Sequence, residues 1–149
     1  MNHDDAQPVE ILLVEDDQDD VFLTKKAFSQ QNVSNNIHVV NDGVDAMEFL
    51  RHEEGYEDVP RPDIILLDLN LQTMDGDEVL AEIRDDDSLR TIPVVVLTSS
   101  SAEEDIVQSY ELNANAYLTK PVDFDGFLEI VDSIDNFWLS FVKVPANDN

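Results

Sequence analysis

Asp68 closes the apolar run Ile64-Ile65-Leu66-Leu67, and three further apolar runs end in equally polar chemistry. Ile11-Leu12-Leu13-Val14 ends in Glu15-Asp16-Asp17, Val94-Val95-Val96-Leu97 in Thr98-Ser99, and Ala116-Tyr117-Leu118-Thr119 in Lys120-Pro121. A short apolar run bounded by polar residues reads as a buried parallel strand. In an open α/β sheet, ligands collect at the carboxyl ends of such strands. Brought together, these four ends assemble carboxylates, a hydroxyl and an ammonium, which is a site for a divalent cation and a phosphoryl group.

A carboxylate that accepts phosphate must stay nucleophilic without repelling its substrate. Magnesium meets both needs by bridging carboxylate and phosphoryl oxygens, and it asks for near-octahedral oxygen ligation. Asp16 and Asp68 are candidates for direct ligation, Glu15 for ligation through water, and the backbone carbonyl of Asn70 for the remaining protein ligand. Acids this close raise one another's pKa, and Lys120 with the cation would keep them ionised. Thr98 can hydrogen-bond one phosphoryl oxygen and Lys120 can neutralise another. Each residue also has a plainer reading. Glu15, Asp16 and Asp17 alone would be a capped helix start, Thr98 a satisfied strand-end hydroxyl, and Lys120 a surface lysine. Tyr117 and Trp138 alone would be core or interface aromatics. The histidines at 3, 38 and 52 show no ligand spacing and read as structural or solvated. What argues for a site is the ordered set, with each member at the end of a strand.

The intervening segments supply the elements that must hold those ends. Residues 1–8 form a polar tail and Val9–Val14 the first strand. Asp17-Gln18-Asp19-Asp20 suits a helix N-terminus, with the helix running from about Asp19 to Gln31. After a turn at 32–36, Ile37–Val40 is a short strand. Asn41-Asp42-Gly43 opens a second helix ending near His52, and 53–61 is a polar loop. The Asp68 strand leads into a turn at Thr73-Met74-Asp75-Gly76, and Val79, Leu80 and Ile83 share one face of a third helix. Pro93–Leu97 is the fourth strand. Ser101-Ala102-Glu103-Glu104 has the form of a capping box and starts a fourth helix. The last strand precedes a long final helix capped by Asp123. Five strands alternating with five helices predict a parallel sheet covered on both faces, in one domain at 9–144, with a polar tail at 145–149.

Bulk composition narrows the function classes. The chain has 149 residues, no cysteine, 34 acidic and 8 basic residues, and a net charge of −26. This charge argues against nucleic acid and anionic membranes as direct partners. No apolar run approaches the ~20 residues of a membrane span, and the start Met1-Asn2-His3-Asp4-Asp5 is unlike a signal peptide. Together with the absence of cysteine, this fits a cytoplasmic protein. The acidity fits either an ordinary acidic protein or adaptation to high salt, where repulsion is screened within ~3 Å at 1 M.

Over roughly Val9 to Val142 the chain resembles the CheY-like receiver domain of two-component response regulators. The resemblance is carried by Glu15-Asp16, Asp68, Thr98 and Lys120-Pro121 at the ends of the first, third, fourth and fifth strands, and by Asp75-Gly76 after the phosphorylation loop. It implies a flavodoxin-like, doubly wound, five-stranded parallel sheet of order 2-1-3-4-5 with five helices. It also implies that Asp68 takes phosphate from the phosphohistidine of a sensor histidine kinase and that Glu15 and Asp16 hold magnesium. Thr98 and Lys120 would be the switch and sensing groups, and Tyr117 matches the aromatic whose ring follows the hydroxyl inward on activation. Asn70 and Ser99 flank the site at positions that tune water access. Two departures stand out. Gln72 occupies a position where the family often has proline, and Asp17 adds a third acid that could compete as a metal ligand. A narrower resemblance links 11–16, Asp68-Leu69-Asn70-Leu71 and the ending Phe137-Trp138-Leu139-Ser140-Phe141-Val142-Lys143-Val144-Pro145 to small receivers associated with bacterial phytochromes. It suggests a phytochrome-like or other sensor kinase as partner.

The expected function is thus a stand-alone phosphoacceptor that switches partner contacts or relays phosphate, without turnover on an external substrate. The alternative is a phosphatase forming an aspartyl-phosphate on a similar fold. Such enzymes usually place an acid/base aspartate two residues after the nucleophile, where this chain has Asn70. Phe127, Ile130, Val131, Ile134, Phe137, Trp138 and Phe141 recur at steps of three and four along the last helix. The first half of that stripe covers the sheet. Phe137, Trp138 and Phe141 extend beyond it and predict a homodimer, with docking of the same patch on a kinase or target as the alternative.

Overall fold

A computed structural model describes residues 8–31, 34–69, 71, 74, 76–98 and 116–147, with backbone only at Tyr117 and at 137–147. Five strands, β1 Val9–Val14, β2 Asn35–Val40, β3 Ile64–Asp68, β4 Val94–Thr98 and β5 Ala116–Thr119, form one sheet of order β2-β1-β3-β4-β5. Every pairing is parallel. The predicted doubly wound α/β fold is therefore the observed one. Among the described residues there are four helices: α1 Gln18–Ser29, α2 Gly43–Arg51, α3 Gly76–Asp85 and α4 Phe124–Asn147. The helix expected from Ser101 lies outside the described residues.

The strands are apolar on both sides because helices cover both faces. Leu12, Val14, Ile65, Leu67, Val94 and Val96 point to the face covered by α2 and α3, where they meet Met47, Phe49, Leu80 and Ile83. Their neighbours in sequence, Ile11, Leu13, Ile64, Leu66, Val95 and Leu97, point to the other face. There they meet Val21, Ala27 and Phe28 of α1 and Phe127, Val131 and Ile134 of α4. The two-residue period of a strand makes this division, so each run feeds two cores at once.

Element ends differ from expectation by a few residues. β2 starts at Asn35, because parallel pairing with Val9 and Glu10 draws Asn35 and Asn36 out of the expected turn. α1 ends at Ser29 rather than Gln31, with Gln30 as its C-cap. β4 runs Val94–Thr98, so Thr98 is inside the ladder, opposite Thr119. α2 is N-capped by Asp42, whose carboxylate accepts from the Asp45 N–H, and closes on His52 in the left-handed region. Asp123 caps α4 through the Gly126 N–H at 2.9 Å. α4 continues past Val144 to Asn147. His38 pairs with Glu10 at 2.7 Å, so two of the three histidines have the structural roles their spacing suggests. His3 lies outside the described residues.

Candidate functional site

Parallel register delivers the chemistry to one edge of the sheet. β1 pairs with β3 up to Val14 opposite Leu67, leaving Glu15 and Asp16 beside Asp68 at the strand ends. β3 pairs with β4 with Asp68 opposite Leu97, and the Leu69 N–H donates to the Leu97 carbonyl at 3.1 Å. β5 then places Lys120 next to Thr98, whose carbonyl accepts from the Lys120 N–H at 2.7 Å. Asp68, Glu15 and Thr98 are buried, at 2%, 1% and 0% exposure, so the acceptor and its neighbours sit below the surface rather than on it.

The turn after Asp68 closes tightly. A Cβ on Gly76 would stand 2.5 Å from the Asp68 carbonyl oxygen and 2.7 Å from the Leu69 Cα, closer than non-bonded atoms approach. Only glycine lets α3 begin against the end of β3, and the Gly76 N–H donates to the Leu69 carbonyl at 3.2 Å.

Carboxylate oxygens of Glu15, Asp16 and Asp68 lie within 4.8 Å of one another. That donor set, oxygen only and anionic, suits a hard divalent cation such as magnesium. The electrostatics point the same way. Burial and the neighbouring Asp68 carboxylate push Glu15 up to about 8, against the pull of Lys120 and the Asp17 N–H. Crowded carboxylates without enough positive charge hold protons, and a cation would displace them.

Lys120 supplies part of that charge. Its ammonium stands 2.9 Å from Glu15 Oε1, 3.1 Å from Asp68 Oδ2 and 2.8 Å from Asp20 Oδ2. Burial alone would lower its pKa, but the hydrogen bonds it donates to Asp20 and Glu15 and the charge of Asp68 outweigh burial and raise it. Lys120 is therefore cationic at any working pH. Asp20, in sequence one of the acids suited to a helix N-terminus, is thus a third carboxylate on the site lysine. Nothing in the local sequence distinguishes Asp20 from its neighbours Asp17 and Asp19, and its reach to Lys120 follows from how α1 packs beside the end of β5.

Asp17 is not in the cluster. Its Oδ1 accepts from the Asp19 and Asp20 N–H groups at 2.9 and 3.2 Å, so the third acid is the N-cap of α1 and not a competing ligand. Capping answers the unpaired N–H groups of the first turn. Asn70, Ser99, Gln72 and Asp75 lie outside the described residues. So do the side chains of Tyr117, Phe137, Trp138 and Phe141, whose backbones belong to β5 and α4.

A parallel sheet of this order, with an acidic cluster and a lysine at its carboxyl edge, is the architecture of a receiver domain, and the chain belongs to the response regulator receiver domain family, which it matches over residues 11–132. Response regulator Rcp1 of Synechocystis sp. is 44% identical over 146 residues, covering 98% of this chain and 99% of that one. The phosphorylated cyanobacterial phytochrome response regulator RcpA superposes with a TM-score of 0.83 at 46% identity, covering 91% of this chain and 97% of that one. The Mn(2+)-bound form of Rcp1 superposes at 0.81 with 45% identity, over 91% and 97% of the two chains. Among the described residues no helix is long and apolar enough to cross a membrane.

Proposed function

We propose that this protein is a stand-alone cytoplasmic receiver whose Asp68 accepts a phosphoryl group from a sensor histidine kinase, phytochrome-like by its relatives. The observation that carries this reading is the convergence of Lys120, Glu15 and Asp68 at the carboxyl edge of the sheet, with all three carboxylate–ammonium contacts, Asp20 included, at 3.1 Å or less. An Asp68 oxygen attacks phosphorus, the new O–P bond forms as the P–N bond of phosphohistidine breaks, and the electron pair leaves on the imidazole nitrogen. Lys120 meets the charge on one phosphoryl oxygen and Thr98 donates to another. Glu15, Asp16, Asp68 and the Asn70 carbonyl would hold magnesium, which supplies charge neutralisation and orientation when bound. Asn70 and Ser99 set how water reaches the acyl phosphate.

After transfer, Thr98 turns towards the phosphoryl group and the Tyr117 ring fills the space it leaves. This remodels the surface beside β5 and α4 that partners read. The output is a change of contacts or an onward relay of phosphate, without turnover on an external substrate. Two such receivers pair through Phe137, Trp138 and Phe141 of α4.

The test is mass spectrometry after incubation with acetyl phosphate and magnesium. Wild type should gain one phosphoryl group, stable in acid and labile in base, and Asp68→Asn should gain none, since the amide keeps the shape but not the nucleophile. A full-occupancy adduct on Asp68→Asn would place the acceptor elsewhere.

A further inference from the structure

Asp20 grips the site lysine yet has no part in the chemistry above. An ammonium carries three N–H donors, and Lys120 Nζ faces three carboxylates, of which Asp20 is nearest at 2.8 Å. The other two have further duties. Asp68 gives up its charge on becoming an acyl phosphate, and Glu15 belongs to the cluster of carboxylates that suits a cation. Asp20 stands outside that cluster. Its backbone is held from both sides: its N–H donates to Asp17 Oδ1 at 3.2 Å, and its carbonyl accepts from the buried Thr24 hydroxyl at 2.7 Å. It is thus a fixed acceptor on α1 reaching a long, flexible side chain on the loop after β5.

Building on the reading of Asp68 as phosphoacceptor, we propose that Asp20 is a positioning residue. It keeps one N–H of Lys120 throughout the cycle, so that the ammonium stays in place while its contact with Asp68 is exchanged for a phosphoryl oxygen. A lysine stem loses considerable rotamer freedom when its head is fixed. An anchor that survives the exchange meets that cost before the reaction, and a misplaced group costs up to ~10²-fold in rate.

Asp20→Asn and Asp20→Ala remove the same charge, but only the amide retains an oxygen that can accept from the ammonium. Comparing the two variants separates position from charge. We expect the maximal rate of adduct formation from acetyl phosphate, and the affinity for beryllofluoride with magnesium present, to be about tenfold lower in Asp20→Ala than in Asp20→Asn. The half-saturating acetyl phosphate concentration, and the magnesium affinity without beryllofluoride, should be the same in both. Equal rates and beryllofluoride affinities in the two variants would overturn the proposal. So would a parallel loss of magnesium affinity in Asp20→Ala, which would make Asp20 a metal ligand. Absence of any adduct on wild type would overturn the reading of Asp68 itself, a result distinct from equality of the two variants. Asp20 lies in the first turn of a helix already capped by Asp17, so both variants should fold, with melting curves as the check.

Discussion

At the scale of single residues, charge placement matters more than charge count. Glu15 and Lys120 meet in the site, where the ammonium opposes the upward push of burial and Asp68 on Glu15, whereas Asp135 on α4 is buried with its Oδ2 making no hydrogen bond among the described residues. Burial and the charge of Asp132 push Asp135 up to about 6. A carboxyl raised on folding contributes stability that is fully present below about pH 4 and is lost as the pH rises through about 6. Wild type should therefore lose about 1–2 kcal/mol relative to Asp135→Asn between pH 4 and pH 8, since a pKa unit is worth ~1.4 kcal/mol and residual solvent contact discounts the full shift. Urea denaturation of both proteins at the two pH values measures it, and a constant difference would mean that Asp135 is solvated.

At the scale of elements, the site depends on where helices start. α3 starts against β3 because position 76 has no side chain. Gly76→Ala should cost about 1–3 kcal/mol, the range for overpacking a close contact. It should also slow acetyl phosphate labelling, because the displaced atoms are the carbonyl of Asp68 and the Cα of Leu69. Denaturation midpoints together with labelling rates test this, and a loss of stability with an unchanged rate would show that the loop relaxes away from the acceptor. α4 poses a different question. Phe127, Val131 and Ile134 are spent on the sheet, while the 24-residue helix runs on with Phe137, Trp138 and Phe141. Burial of such aromatics is worth ~1.5–3 kcal/mol each. Sedimentation at high salt should show a wild-type dimer at tens of micromolar and a monomeric Trp138→Ala/Phe141→Ala double variant. A wild-type monomer would assign the patch to another partner.

At the scale of the whole molecule, repulsion opposes compaction. The net charge is −26, and all four arginines are committed locally. Arg51 pairs with Glu82 and Asp86, and Arg90 with Asp87. Arg61 binds the Ser88 carbonyl and Thr91, while Arg84 binds the carbonyls of Arg90 and Ile92. Lys120 is spent in the site. Most surface acids therefore have bulk salt as their counter-charge, and molar potassium chloride should raise the denaturation midpoint well above that in dilute buffer. Magnesium added at that fixed high ionic strength should raise it further, and Asp16→Ala should remove most of the second rise. Equal midpoints in low and high salt would leave an acidic but ordinary protein. Sodium matching magnesium at equal ionic strength would remove the metal site.

The amino-acid sequence by itself determined the sheet, because runs such as Ile64–Leu67 and Val94–Leu97 are apolar at every position and only a strand covered on both faces uses them so. It also determined which residues meet, because in a parallel sheet all strand ends of one sense lie on one edge, and Asp68, Thr98, Glu15, Asp16 and Lys120 each end or follow a strand. Three matters were decided only by tertiary structure. Asp17 and Asp20 are alike in sequence, yet one caps α1 and the other grips Lys120, 100 residues away. Asp135 stands outside the apolar stripe of the last helix and is nonetheless buried. Asn35 and Asn36 read as a turn and join the ladder. Each outcome depends on how a helix is rotated against the sheet or on how far a neighbouring strand extends. Those are properties of packed surfaces, set by contacts between distant segments, and no local pattern of residues contains them.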